Sequence, residues 1–151
     1  MSLWYNNFKV KEKYFGWVKI LAFIGIGLAL FLLWERYFRP SFQPCNINET
    51  VNCDAVIWGE VSNTLGIPTP LIGLVGYIFI LLGAFKKNAK LVLGMSAFGL
   101  AFCLYIAYRE LFQLRVVCPV CILCQIDIIT VFILGMILTR KKTTPKVEQE
   151  E

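Results

Sequence analysis

The sequence predicts an all-α fold, a four-transmembrane-helix bundle with an outward loop that carries a short interfacial helix. Three observations carry that expectation. Hydrophobic residues make up 58% of the 151 residues and charged residues 17%, against roughly 45–50% and about 25% in an ordinary soluble domain. The apolar residues gather into four runs, at about residues 17–34, 65–85, 91–114 and 118–139, each close to the ~20 residues that cross a hydrocarbon core as a helix. Finally, every lysine lies at one end of those runs.

The first run follows Lys9, Lys11, Lys13 and Lys19 and contains Ile20, Leu21, Phe23, Leu28 and Phe31. A basic leader before an apolar centre also describes a cleaved signal peptide. Here Trp34-Glu35-Arg36 stands where small residues belong, so the run is read as a retained span. The second run has Pro68 and Pro70 in its first turn, where a missing N–H does little harm. Pro119 opens the fourth run in the same way. Residues 1–140 are expected to form a single membrane domain. Residues 141–151 are charged, with Val147 their one apolar residue, and are expected as a disordered cytoplasmic tail.

Lysines set the orientation. Lys86, Lys87 and Lys90 fill the turn between runs two and three, and Lys141, Lys142 and Lys146 follow run four. Arg36, Arg39, Arg109 and Arg115 fall at the other end. The positive-inside rule therefore predicts cytoplasmic termini in a multi-pass protein of the plasma membrane, with the loop at residues 37–64 and the connection at 115–117 facing outward. Within that loop, Val56-Ile57-Trp58 with Val61 and Leu65 suits a short helix lying on the outer interface and capping the bundle. Trp58 alone also suits an aromatic-belt anchor.

The net charge of +5 is dispersed around apolar runs instead of forming one patch, which argues against a nucleic-acid partner. Histidine is absent, so proton handling falls to thiols, carboxylates, tyrosines or water. The chemistry-bearing residues are the cysteines. Cys45 and Cys53 stand in the outward loop, and Cys118-Pro119-Val120-Cys121 opens the fourth run. Structurally, the first two would staple a loop in an oxidising compartment, and the second two would be small buried residues. Against this, Cys118 and Cys121 occupy the first turn of a helix, whose partial positive charge favours thiolate. One turn apart, they are near enough for a strained, reducible bridge. A four-cysteine zinc site is the other sharp reading, but the seven residues between Cys45 and Cys53 do not suit close ligand spacing, and no metal is expected. Cys103 and Cys124 are expected as packing residues.

In order and spacing, Cys45-(seven residues)-Cys53-Asp54, then Leu65-Gly66-Ile67-Pro68 leading into Leu71-Ile72-Gly73, then Cys118-x-x-Cys121, the chain resembles the vitamin K epoxide reductase family. The resemblance runs from the first span to the fourth. The DsbB family places its C-x-x-C in the first outer loop, the reverse of the order here. Bacterial relatives often carry a fused thioredoxin-like domain after the bundle; the resemblance here is to a stand-alone form, whose redox partner is a separate secreted or membrane-anchored thioredoxin-like protein.

The resemblance implies a relay with Cys45, Cys53, Cys118 and Cys121 as catalytic residues. A partner thiol attacks Cys45, Cys53 attacks Cys118, and Cys121 faces a membrane quinone of the menaquinone, ubiquinone or vitamin K type. Thr69 stands about where animal members place a quinone-binding asparagine. Gln125 shares the helix face of Cys118 and Cys121, and with Trp58 completes the expected quinone site. Asp127 lies about 14 Å below Cys118 at ~1.5 Å per residue and on nearly the opposite face, which suggests a structural role. Arg109 and Glu110 read as interface anchors. Thiol oxidation supporting disulfide-bond formation is the leading function. Reduction of vitamin K quinone or epoxide is its enzymatic rival, and a non-catalytic four-span protein with a stapled loop is the rival from another class.

Overall fold

The computed structural model describes residues 2–38, 47–51, 53, 57–58, 63–64 and 66–140. Cys45, Asp54, most of the expected interfacial helix (Val56, Val61 and Leu65) and the tail at 141–151 lie outside the described residues.

Helix α1 runs from Ser2 to Phe38, well beyond the apolar run at either end. A two-residue strand β1 (Asn63–Thr64) pairs antiparallel with β2 (Ile67–Pro68), with Asn63 opposite Pro68 and Thr64 opposite Ile67. Gly66, at φ 81°, takes the left-handed conformation that closes this turn. Helix α2 (Thr69–Phe85) begins directly after β2, with Pro70 in its first turn. Helix α3 (Ala89–Arg109) is capped by the Asn88 side chain, which accepts from the Leu91 N–H at 3.3 Å. It runs on into a π-helical turn, Glu110–Leu114. Helix α4 covers Pro119–Arg140.

Three helices, Val10–Phe38, Ala89–Gln113 and Pro119–Arg140, are long and apolar enough to cross a membrane. Helix α2 is shorter, at 17 residues, or about 26 Å at the ~1.5 Å rise per residue. The four helices pack in a ring in which α1 and α3 each touch α2 and α4. Large apolar side chains point away from the ring, among them Phe23 (57% exposed), Phe98 (60%) and Ile126 (58%). Such a surface suits hydrocarbon and not water.

Inside the ring, the apolar core has two parts. The larger joins Val18 and Ala22 of α1, Tyr77, Ile80 and Ala84 of α2, Val92 of α3, and Ile128, Val131 and Leu138 of α4. The smaller, at the other end, gathers Leu32, Cys53, Ile57, Val116, Cys118 and Val120. Two of the four cysteines singled out from sequence therefore meet in one dry cluster.

Candidate functional site

Backbone hydrogen bonds stitch residues 47–51 onto the connection between α3 and α4. The Ile47 and Asn48 N–H groups donate to the Val51 carbonyl at 3.1 and 3.3 Å, and the Val117 N–H donates to the Thr50 carbonyl at 2.8 Å. Val51 and Val117 form a single parallel bridge. Beyond it, the Ile57 N–H donates to the Cys53 carbonyl at 2.8 Å. Arg36, near the end of α1, donates from Nη1 to the Ile57 carbonyl at 2.9 Å and places its guanidinium 5.8 Å from the centre of the Trp58 ring. The described residues between Ile47 and Trp58 are thus tied both to the α3–α4 connection and to α1.

The connection itself is tight. Arg115 sits in the left-handed region at φ 53° and donates its N–H to the Glu110 carbonyl, which also accepts from Val116 at 3.3 Å. That reversal lets Cys118 precede α4 directly, with its carbonyl accepting from Ile122 at 3.1 Å. The result is a sulfur–sulfur approach: Cys53 Sγ lies 3.0 Å from Cys118 Sγ, with 1% and 0% of the two residues exposed. Cys53 is disulfide-bonded, whereas Cys118 and Cys121 are free thiols. Reacting atoms held about 3–3.5 Å apart are close to an attack geometry, and a disulfide of ~2.05 Å needs about 1 Å of further closure.

The Cys121 thiol, donating toward Cys118, holds the Cys118 thiol below its usual range, with help from the backbone N–H groups of Cys121 and Val120 at the helix start. Burial and the Glu110 carboxyl act in the opposite sense without prevailing. Lowering a thiol's pKa keeps thiolate present at lower pH. Removing the donor should therefore raise the acid limb of exchange between Cys53 and Cys118. We expect the mixed disulfide to form down to a lower pH in Cys121→Ser, which keeps a hydroxyl donor, than in Cys121→Ala. Acid-quenched, non-reducing peptide maps across pH measure this, and superimposable limbs would remove Cys121 as the cause.

Below the sulfurs lies a cavity of about 330 Å³, within the ~300–1,000 Å³ of small-molecule sites. Its walls are mostly apolar, from Ala29 and Leu32 of α1, Pro70 and Gly73 of α2, Phe102, Ile106 and Leu111 of the α3 segment, and Ile122 and Ile126 of α4. Cys121 lines it, and so do Thr69 and Gln125. Trp58 and Asp127 are not among its lining residues; Trp58 is 43% exposed beside Arg36, and Asp127 is buried elsewhere.

Four polar or thiol groups at the cavity were not anticipated as part of it. Cys103 and Cys124 line it instead of serving packing alone, and Tyr77 reaches in from α2, donating to the Cys124 carbonyl at 3.5 Å. Glu110 also lines it and is 5% exposed, so the expectation of an interface anchor is corrected. Arg109 does turn outward, donating to Gln113 Oε1 at 2.7 Å. The signal for Glu110 was spacing. Cys103, Ile106, Ala107, Glu110 and Leu111 follow the i, i+3, i+4, i+7, i+8 pattern of one helix face.

Membrane-length helices around a buried sulfur contact, beside an apolar cavity lined by Cys121, define a membrane redox enzyme. The chain belongs to the vitamin K epoxide reductase family, whose family model matches residues 17–136. Both described sulfurs of the contact and every cavity-lining residue fall within that match. Among curated proteins, no match was found.

Proposed function

We propose that the protein is a quinone-linked thiol–disulfide oxidoreductase that draws electrons from a thioredoxin-like protein outside the plasma membrane. One observation carries this reading: the disulfide-bonded Cys53 touches Cys118, whose neighbour Cys121 lines an apolar cavity. Oxidised outside and reduced inside is the distribution expected once electrons have crossed from the outer pair to the inner one.

In this account the partner's thiolate opens the Cys45–Cys53 disulfide by attack at Cys45. The second partner thiol closes the partner's own disulfide and frees Cys45. Cys53 then attacks Cys118 of an oxidised Cys118–Cys121 bridge, which leaves Cys121 as thiolate. Cys45 closes on Cys53, so that two electrons now rest on the inner dithiol. Each hop is an in-line exchange and needs the outer segment to shift. The small apolar cluster around Cys53 and Cys118 keeps water and stray thiols out.

The cavity suits a quinone headgroup. It has apolar walls, the Cys121 sulfur at one side, and only a few polar groups, Thr69, Tyr77, Gln125 and Glu110, to fix orientation. Thr69 and Gln125 would hold the ring carbonyls. A bound quinone supplies a two-electron, two-proton acceptor as the Cys118–Cys121 bridge closes. The bundle is read as four-spanning, with α2 as the shortest span. Both termini are cytoplasmic, and residues around Ile57–Trp58 cap the outer end.

The test uses purified protein in lipid vesicles containing menaquinone or ubiquinone, with a reduced thioredoxin-like protein outside. Quinone-dependent loss of two partner thiols per quinol formed is expected. No quinone-dependent thiol oxidation would favour a structural role. Turnover of vitamin K epoxide with a dithiol would move the assignment to the epoxide-reducing rival.

A further inference from the structure

Glu110 is a buried carboxyl in a mostly apolar cavity wall. Its carboxyl is carried into the interior at the point where α3 gives way to a π-helical turn, a distortion that recurs at functional sites. Oε1 has no hydrogen-bond partner among the described residues. The neighbouring cation does not neutralise it, because Arg109 is spent on Gln113 at the surface. Leaving that oxygen open costs stability. The carboxyl lines the cavity, and the donors within its reach are the Cys121 thiol and the Cys118 backbone N–H. Asp127 also carries a buried carboxyl, close to Tyr77, but it lines no part of the cavity.

We propose that Glu110 is a catalytic residue: its carboxyl stores the proton given up by Cys118 and delivers it to an oxygen of the electron acceptor as the Cys118–Cys121 bridge closes. This rests on the quinone-linked reading above. A dithiol oxidised to a disulfide loses two electrons and two protons. With Cys118 as thiolate, one proton remains on Cys121 Sγ and the other sits on Glu110. When the sulfur–sulfur bond forms, the electron pair and both protons go to the acceptor, and Glu110 is left as carboxylate. The next reduction of the bridge, by exchange from Cys53, returns a proton to it.

Two measurements test this. The first is the infrared difference spectrum of purified protein between its dithiol and disulfide states, with no quinone added. A protonated-carboxyl C=O band should accompany the dithiol state, vanish in Glu110→Gln and persist in Asp127→Asn. The second is the rate of quinone-dependent dithiol oxidation, which Glu110→Gln should slow by about 100-fold or more, the usual reach of a positioned acid–base group. Glu110→Asp, which keeps the carboxyl, should recover part of that loss. A difference spectrum with no carboxyl band, a band unchanged in Glu110→Gln, or a wild-type rate in that variant would overturn the proposal. A wild-type protein that shows the band but reduces no quinone would overturn the quinone-linked reading and leave the proton store standing.

Discussion

Single replacement of Cys118 or Cys121 by serine should lower quinone-dependent thiol oxidation to the level of vesicles without the protein. The two losses have different origins. Without Cys118, the sulfur that lies 3.0 Å from Cys53 is gone, and the outer pair has nothing to attack. Without Cys121, Cys118 can still exchange with Cys53, but no thiol lines the cavity at that turn to complete the inner bridge. Serine is close to cysteine in size, so helix α4 should keep its place and the variants should purify as folded protein. Cys103→Ser and Cys124→Ser are the controls. Both residues line the cavity but stand outside the exchange path, and both variants should retain quinone-dependent turnover.

Gly25→Ala should be the most damaging glycine-to-alanine substitution on α1. A Cβ at Gly25 would overlap the Tyr77 ring. Tyr77 is 6% exposed and packed in the main core. The ring must therefore push into the cavity it lines, or α1 must back away from α2. Overpacking of this kind costs about 1–3 kcal/mol. Gly27, two residues on, has nothing within 4 Å of such a Cβ. Gly27→Ala should therefore be neutral or slightly stabilising, because alanine gives up less backbone freedom in a helix. Thermal unfolding in detergent compares the two. Equal midpoints would show that the approach of Gly25 to Tyr77 is not tight.

Much of the fold was legible because hydrophobicity and charge report directly on the bilayer. Apolar runs located the four helices, and cysteine order pointed to the family. Helix ends were harder to see. Helix α1 extends to Ser2 because backbone hydrogen bonding continues past the apolar run, and hydropathy marks the membrane, not the helix. The apolar run beginning at residue 65 becomes helix only at Thr69, since Ile67 and Pro68 pair with Asn63 and Thr64 first.

The site was legible in its sulfurs and less so in its carboxyls. Cys118 and Cys121 declare themselves by spacing and by the helix start. The meeting of Cys53 with Cys118 depends on the Val51–Val117 bridge and the left-handed Arg115, and neither leaves a mark in local sequence. Glu110 follows Arg109 near the end of an apolar run, which is the usual look of a membrane-interface pair. Only its seven-residue spacing from Cys103 hints that it faces inward. Thr69 and Gln125 line the cavity, whereas Trp58 lies outside that wall beside Arg36.

In the proposed relay, Cys53 and Cys118 exchange directly. The most direct test maps disulfides in Cys121→Ser, where the inner pair cannot resolve the product. Purified without reductant and digested after acid quench, that variant should yield a Cys53–Cys118 linked peptide as a major species, lost when Cys118 is also replaced. A Cys121→Ser protein that holds Cys118 entirely as free thiol at every pH would contradict the relay.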